Sequence, residues 1–341
     1  MKKFNKLLKL ALSAFLVITL ASCSKANIDD NGVYLSTKDA AKAAKKNNQN
    51  VVVIATMDGT DFYSTDFINV VFNDERFKDE IAKDYVVLHL DFSEAAYQAT
   101  VFNDESTKEE VKIAEKNAKI MQENTLLASR LNLQTTPAIY IMSKDMFFIS
   151  ELDYLTDEVT NYDSFKALLE KQGEDIALFD EKVKAATTGS KEEKLSGIDR
   201  LYEDTDIVYR AFLKDLIDEY IELDKDNETD LLPKYIIGKA DIESSNYFMA
   251  EDIGNAVKVY AQCAEDPRID AESRQMLYYM ASYILVSSNS SDFEAIRGYL
   301  QKAVDAYPEG PNVPVFQNII EQFDQMTASL TPETSKEEQA E

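Results

Sequence analysis

Residues 50–92, NVVVIATMDGTDFYSTDFINVVFNDERFKDEIAKDYVVLHLDF, hold the pattern that decides the fold. Asn50 to Thr56 is a β-branched apolar run of strand length, and Tyr85 to Phe92 is another. Between them, from Thr65 to Lys83, Phe67, Ile68, Val71, Phe72, Phe77 and Ile81 recur at helical spacing. A strand, a helix and a strand in that order predict a parallel pair joined by a right-handed crossover.

The flanks extend the pattern. Upstream, Ser36 or Thr37 can cap a helix running through DAAKAAKKN, because a hydroxyl there accepts from an otherwise unpaired backbone N–H. Downstream, Glu94 to Leu131 is charged and helix-prone, with NDESTKEE its most solvated part, and reads as an insertion followed by a second helix. Pro137 to Met142 (PAIYIM) and Met146 to Leu152 (MFFISEL) are two strands separated by Ser143, Lys144 and Asp145. That short connection predicts an antiparallel hairpin. Ser164 to Gln172 (SFKALLEKQ) closes this part as a helix.

The order strand, helix, strand, helix, hairpin, helix resembles the thioredoxin fold, and two stretches sharpen the resemblance over residues 34–172. IATMDGTDFYSTDF is similar to the segment Gly-Ser-Asp-Trp-Cys-x-x-Cys of thioredoxin-like exported bacterial proteins. Thr135-Thr136-Pro137-Ala138 resembles the loop of that fold whose proline is cis. Placing Gly59, Thr60 and Asp61 on Gly-Ser-Asp puts Phe62 on the tryptophan, Tyr63 on the first cysteine and Asp66 on the second. Both redox thiols are absent. Thiol exchange needs a thiolate at a helix N-terminus and a second thiol to resolve the mixed disulfide. A phenol and a carboxylate supply neither, so no catalytic residue is assigned and a non-enzymatic role is favoured.

What the resemblance leaves is a surface. Tyr63 and Ser64 at a helix tip, facing Thr136 and Pro137, would offer an exposed backbone edge to an extended peptide, as relatives do beside the cis proline. The plainer alternatives stay open: Pro137 only shapes the turn before a strand, and Asp66 only complements a helix dipole.

The first 22 residues carry a different signal. Lys2, Lys3, Lys6 and Lys9 precede an apolar run, Ala11 to Leu20, too short to anchor a helix across a bilayer. The run ends in Leu20-Ala21-Ser22-Cys23, which resembles the lipobox of bacterial lipoproteins. The resemblance implies cleavage before Cys23, diacylglycerol on its thiol, and a membrane anchor facing the periplasm or cell exterior. Ser24 leaves the choice of inner or outer membrane open. Cleavage would lower Lys plus Arg from 36 to 32 against 62 acids, a net charge of −30. Such a chain repels nucleic acid, and its acidity is sufficiently explained by solubility. The covalent lipid on Cys23 is the one attached group expected; no cofactor or metal is.

Other polar features read as structural. With Cys23 lipidated, Cys263 has no intramolecular partner; it shares a helical face with Ala256, Val259 and Tyr260 and reads as a buried thiol. His89, the single histidine, reads as a packed strand residue, and a histidine-based metal site is hard to build around it. DKDNETD, from Asp224 to Asp230, alternates acids as a calcium loop does, but Thr229 stands where glycine is needed and Tyr235 where glutamate is. It is expected to be a solvated acidic loop.

From Asp175 onward the chain reads as all helical. RQMLYYMASYILVSSNSSDFEAIRGYLQKAVDAYPEG resembles a tetratricopeptide helix pair, with Ala281 in the first helix and Leu300, Ala303 and Pro308 in the second. A looser copy places Tyr260 on Leu300 and Cys263 on Ala303, with its first helix around Leu231 to Phe248 poorly matched. Tyr278, Tyr279, Tyr283 and Tyr299 fit either a core or a peptide groove. The organisation expected is therefore a signal peptide at 1–22, a tether at 23–33, a thioredoxin-like α/β domain at 34–172, a helical-repeat all-α domain at 173–330, and a disordered tail at 331–341. Three functions fit: a membrane-tethered, redox-silent binder or scaffold for a protein or peptide; an oxidoreductase or isomerase using a partner's thiols or Cys263; and a structural envelope lipoprotein.

Overall fold

A computed structural model describes residues 27–29, 31–152 and 161–330. The expected signal peptide, Cys23 and the polar tail lie outside the described residues. The chain divides into two compact units, Met1–Asp215 and Leu216–Glu341.

The first unit is built on a four-stranded sheet ordered β2-β1-β3-β4, with β1 at Val51–Thr56, β2 at Val86–Asp91, β3 at Ala138–Met142 and β4 at Phe148–Leu152. β1 and β2 run parallel, from Val51 opposite Val86 to Thr56 opposite Asp91. β3 runs antiparallel to both β1 and β4. β1 is buried along its whole length because apolar layers cover both faces. Val52 and Ile54 meet Phe67, Phe77 and Phe165 on one face, while Val51, Val53 and Ala55 meet Ala40, Leu127 and Tyr140 on the other.

Helix α1, Thr37–Asn47, is capped by Ser36, whose hydroxyl accepts from Asp39 N–H at 3.3 Å. The crossover from β1 to β2 departs from a single helix. It comprises α2 at Phe62–Phe67, a π-turn at Ile68–Phe72, a bend, and α3 at Phe77–Asp84. A five-residue spacing would place Phe67 and Phe72 about 140° apart on an α-helix. The extra residue of the π-turn brings both rings into the same apolar layer, edge to face at 5.5 Å. Asp74 then accepts from the backbone and guanidinium of Arg76, both at 2.9 Å, and ends the helix.

The insertion contributes α4 at Glu94–Gln98 and α5 at Lys108–Arg130, the latter opened by a Thr107–Glu110 capping box. In the hairpin, Met146 has φ +65° and belongs to the turn, so β4 starts at Phe148. The fold continues through α6 at Tyr162–Lys171, α7 at Gly173–Thr187, α8 at Lys191–Asp204 and a 3₁₀ segment at Ile207–Leu213. The contact division falls beyond Gln172 because this segment returns to the sheet: Tyr209 stacks on Phe148 with ring centroids 3.5 Å apart.

Residues 27–29 and 31–35 lie within the expected tether or just past it, yet they are folded. Tyr34 donates to the Val87 carbonyl at 2.8 Å and accepts from His89 N–H at 2.9 Å, running parallel to β2. Ile28 bridges Tyr34 antiparallel. The segment thereby pairs an edge that would otherwise be open to another strand.

The second unit continues from α9, Lys214–Leu223, into α10 at Leu232–Met249, α11 at Ile253–Ala264, α12 at Ala271–Ser287, α13 at Phe293–Ala306 and α14 at Val313–Leu330. From α10 on, each helix packs on the next. The loose repeat acquires a firm register. An offset of forty superposes buried Tyr235, Gly238, Ile242 and Ser244 on buried Gln275, Tyr278, Ser282 and Ile284. The same offset carries Ala256, Tyr260, Cys263 and Ala264 onto Ile296, Leu300, Ala303 and Val304. Asp252 and Asp292 cap their helices alike, by accepting from the N–H three residues on.

Two polar readings change. Asp224, expected in a solvated loop, is fully buried, because its carboxylate accepts from Glu228 N–H at 2.8 Å and the Thr229 hydroxyl at 2.6 Å. It ties off a turn. The tyrosines of α12 divide: Tyr278 is buried, Tyr279 stacks on Phe316 at 5.0 Å, and Tyr283 is half exposed.

Candidate functional site

The carboxyl end of β1 delivers the chain into a tight turn at Met57–Thr60. Gly59 has φ +73°, which only glycine adopts readily, and Asp58 accepts from Gly59 N–H at 2.8 Å and from the Thr65 hydroxyl at 2.6 Å. This turn aims the start of α2.

Asp61 is the hub. As N-cap of α2 it accepts from Tyr63 N–H at 3.2 Å and Ser64 N–H at 3.3 Å. The same carboxylate accepts from the Ser64 hydroxyl at 2.6 Å and, across 75 positions of sequence, from the Thr136 hydroxyl at 3.0 Å. The Thr136–Pro137 bond is cis. The helix tip thus abuts the proline loop through a charged hydrogen bond, as the thioredoxin resemblance implies.

The candidate residues separate by exposure. Phe62 and Tyr63 project into solvent at 77% and 58% exposure, edge to face with centroids 5.8 Å apart. Asp66 is also exposed, Thr136 is half-buried and Pro137 is buried. Ser64, expected to face a bound peptide, is fully buried. Its hydroxyl donates to Asp61 and accepts from Met57 N–H at 3.0 Å, so it is a girder of the turn. Asp61 carried no role in the sequence reading. An aspartate three residues before a serine at a helix start is the N-cap signal that marks it.

The remaining titratable groups are structural. His89 Nε2 lies 2.7 Å from the Thr56 hydroxyl, and its ring meets Phe72 edge to face at 5.0 Å. Burial pushes the imidazole below its ordinary value, against the opposing pull of Asp91, Asp29 and Asp58. In the second unit, Cys263 is buried, its thiol 3.9 Å from the Ile236 carbonyl. Burial first, then the carboxylates of Asp241 and Asp266, push that thiol up to about 12. Among the described residues no group of three or more His, Cys, Asp or Glu is placed to hold a metal ion, and no helix is long and apolar enough to cross a membrane.

One family match agrees with this geometry at the level of fold. The family described as "Thioredoxin-like domain" matches residues 37–146. A second family, described as "Uncharacterised protein C-terminal domain", matches residues 231–329. A solved structure named "DsbH Oxidoreductase" is 12% identical, with a TM-score of 0.30, and the match covers 48% of this chain and 98% of that one. No curated protein matches.

Proposed function

We propose that the chain, which joins a thioredoxin-like α/β domain to a C-terminal all-helical region, is a lipid-anchored extracytoplasmic protein that holds an extended polypeptide at a redox-silent thioredoxin-like site. One observation carries the reading. The helix tip and the cis-proline loop are in place, but the positions that would exchange sulfur hold Tyr63 and Asp66. A tyrosine presents a large amphipathic ring at little entropic cost, which suits binding and not electron transfer. Phe62 and Tyr63 offer that surface beside a backbone edge at Thr135–Thr136, where strand addition can occur.

Cys23 supplies the membrane attachment through its lipid, and the acidic mature chain keeps the protein off nucleic acid. The helical unit, whose pairs repeat every forty residues, is read as tetratricopeptide-like and as part of the same scaffold. The competing reading, thiol exchange through Cys263, is disfavoured by burial of that thiol and its high pKa.

A photoreactive phenylalanine analogue at position 63 tests the proposal in the native envelope. A discrete crosslinked polypeptide, lost in Thr136→Trp, is expected. Failure to capture any polypeptide reproducibly, or insulin reduction by the purified chain that Cys263→Ser abolishes, would overturn it.

A further inference from the structure

The chain enters its described fold at the same end of the sheet as the vestigial site. Leu35 N–H donates to the Asn27 carbonyl at 2.9 Å, and Asn27 N–H and its amide reach Asp39, in the first turn of α1, at 3.0 and 3.2 Å. Because Tyr34 pairs with Leu88 in parallel, residues 33–35 head toward the carboxyl end of β2, and Asn27 stands beside that end. The carboxyl ends of β1 and β2 are adjacent, with Thr56 opposite Asp91. From them leave Met57–Tyr63 and Ser93–Phe102. Ala138 pairs with Ala55, which brings Thr136–Pro137 to this end as well. At a strand spacing of about 4.8 Å, the edge segment, β2, β1 and β3 span roughly 15 Å.

The same segments collect exposed apolar surface. Every exposed large apolar side chain before Ile113 among the described residues belongs to them: Ile28, Leu35, Phe62, Tyr63, Val101 and Phe102.

Ser24, Lys25 and Ala26 alone separate Cys23 from Asn27. Four extended residues reach at most about 14 Å. A lipid on Cys23 therefore holds Asn27, and the sheet end beside it, within that distance of the boundary between headgroups and acyl chains.

We propose that this end of the thioredoxin-like domain rests on the lipid bilayer, with Val101 and Phe102 at the headgroup boundary, so that the Phe62–Tyr63–Thr136 site opens along the membrane surface. The proposal rests on lipidation of Cys23. Aromatic and aliphatic side chains favour that interface, and the short tether supplies a local concentration that a weak patch lacks alone. A polypeptide reaching the site does so close to the bilayer.

The chain contains no tryptophan, so Phe102→Trp gives a single indole, excited selectively at wavelengths beyond tyrosine absorption. The lipidated full-length chain, purified from membranes, is reconstituted into phosphatidylcholine vesicles carrying lipids brominated near the top of the acyl chain. Phe102→Trp should lose most of its emission to the bromines and shift to the blue. Lys46→Trp should be unaffected, since α1 runs from Thr37 to the far end of the sheet, where Lys45 pairs with Asp145 of the hairpin turn at 3.6 Å. Val101→Trp repeats the measurement if the Phe102 variant folds poorly. An acylated protein in which the emission at 102 is unquenched, or in which that at 46 is quenched equally, overturns the orientation and leaves lipidation standing. A mature mass lacking acyl chains overturns both.

Discussion

Removing the Asp61 carboxylate should loosen the vestigial site in a way that Thr136 reports. Asp61→Ala deletes an N-cap, which costs about 1 kcal/mol. It also deletes charged hydrogen bonds from the Ser64 and Thr136 hydroxyls, at 2.6 and 3.0 Å. Each is worth on the order of 1.5 kcal/mol before discounting for partial solvent access. The total cost is roughly 2–3 kcal/mol. Thr136→Val removes one of those bonds and preserves shape, at about 1 kcal/mol. The two changes share one interaction, so the double variant should cost less than the sum by on the order of 1 kcal/mol. Hydrogen exchange of the Val51–Thr56 amides is the suitable assay, because β1 is buried on both faces and reports the first unit by itself. Additivity within about 0.3 kcal/mol would show that the helix tip and the proline loop are energetically independent, and the site described here would not exist as a unit.

Cys263 should resist alkylation at pH 8 in the folded protein and react fully in urea, because a thiol pushed up to about 12 is almost entirely protonated there; rapid labelling under native conditions would refute its burial. For His89, burial lowers the folded value, so below the ordinary pKa of about 6.5 the unfolded chain binds a proton that the folded chain refuses. Stability should therefore fall with decreasing pH by up to about 1.4 kcal/mol per unit until the folded imidazole also protonates, and His89→Gln should flatten that slope in urea titrations across pH 5–7. In the helical unit, Tyr260 donates to Asp241 at 2.9 Å, exactly where the next repeat has Leu300 and Ala281. Burial pushes the Asp241 carboxyl up. Tyr260→Leu alone should cost about 1–3 kcal/mol by leaving that carboxyl without its donor, whereas adding Asp241→Ala should restore most of the loss; equal melting of the single and double variants would contradict the repeat register.

Residue identity settled what depends on a few neighbouring positions. The apolar runs at 50–56 and 85–92, a cap at Ser36 or Thr37, the Ser143–Asp145 connection and the missing thiols at 63 and 66 are all legible in order, because backbone hydrogen bonding, side-chain periodicity and sulfur chemistry are local. The tertiary structure alone decided which distant groups meet. Asp61 finds Thr136, Tyr34 finds β2, and Ser64 and Asp224 turn inward. The repeat divides the same way: the offset of forty that sets Tyr260 on Leu300 is legible in the sequence, whereas the buried face of its poorly matched first helix, Tyr235 to Ser244 onto Gln275 to Ile284, is fixed only by packing. Long-range contacts follow the path of the chain and the space left by its neighbours, which no short window of residues contains.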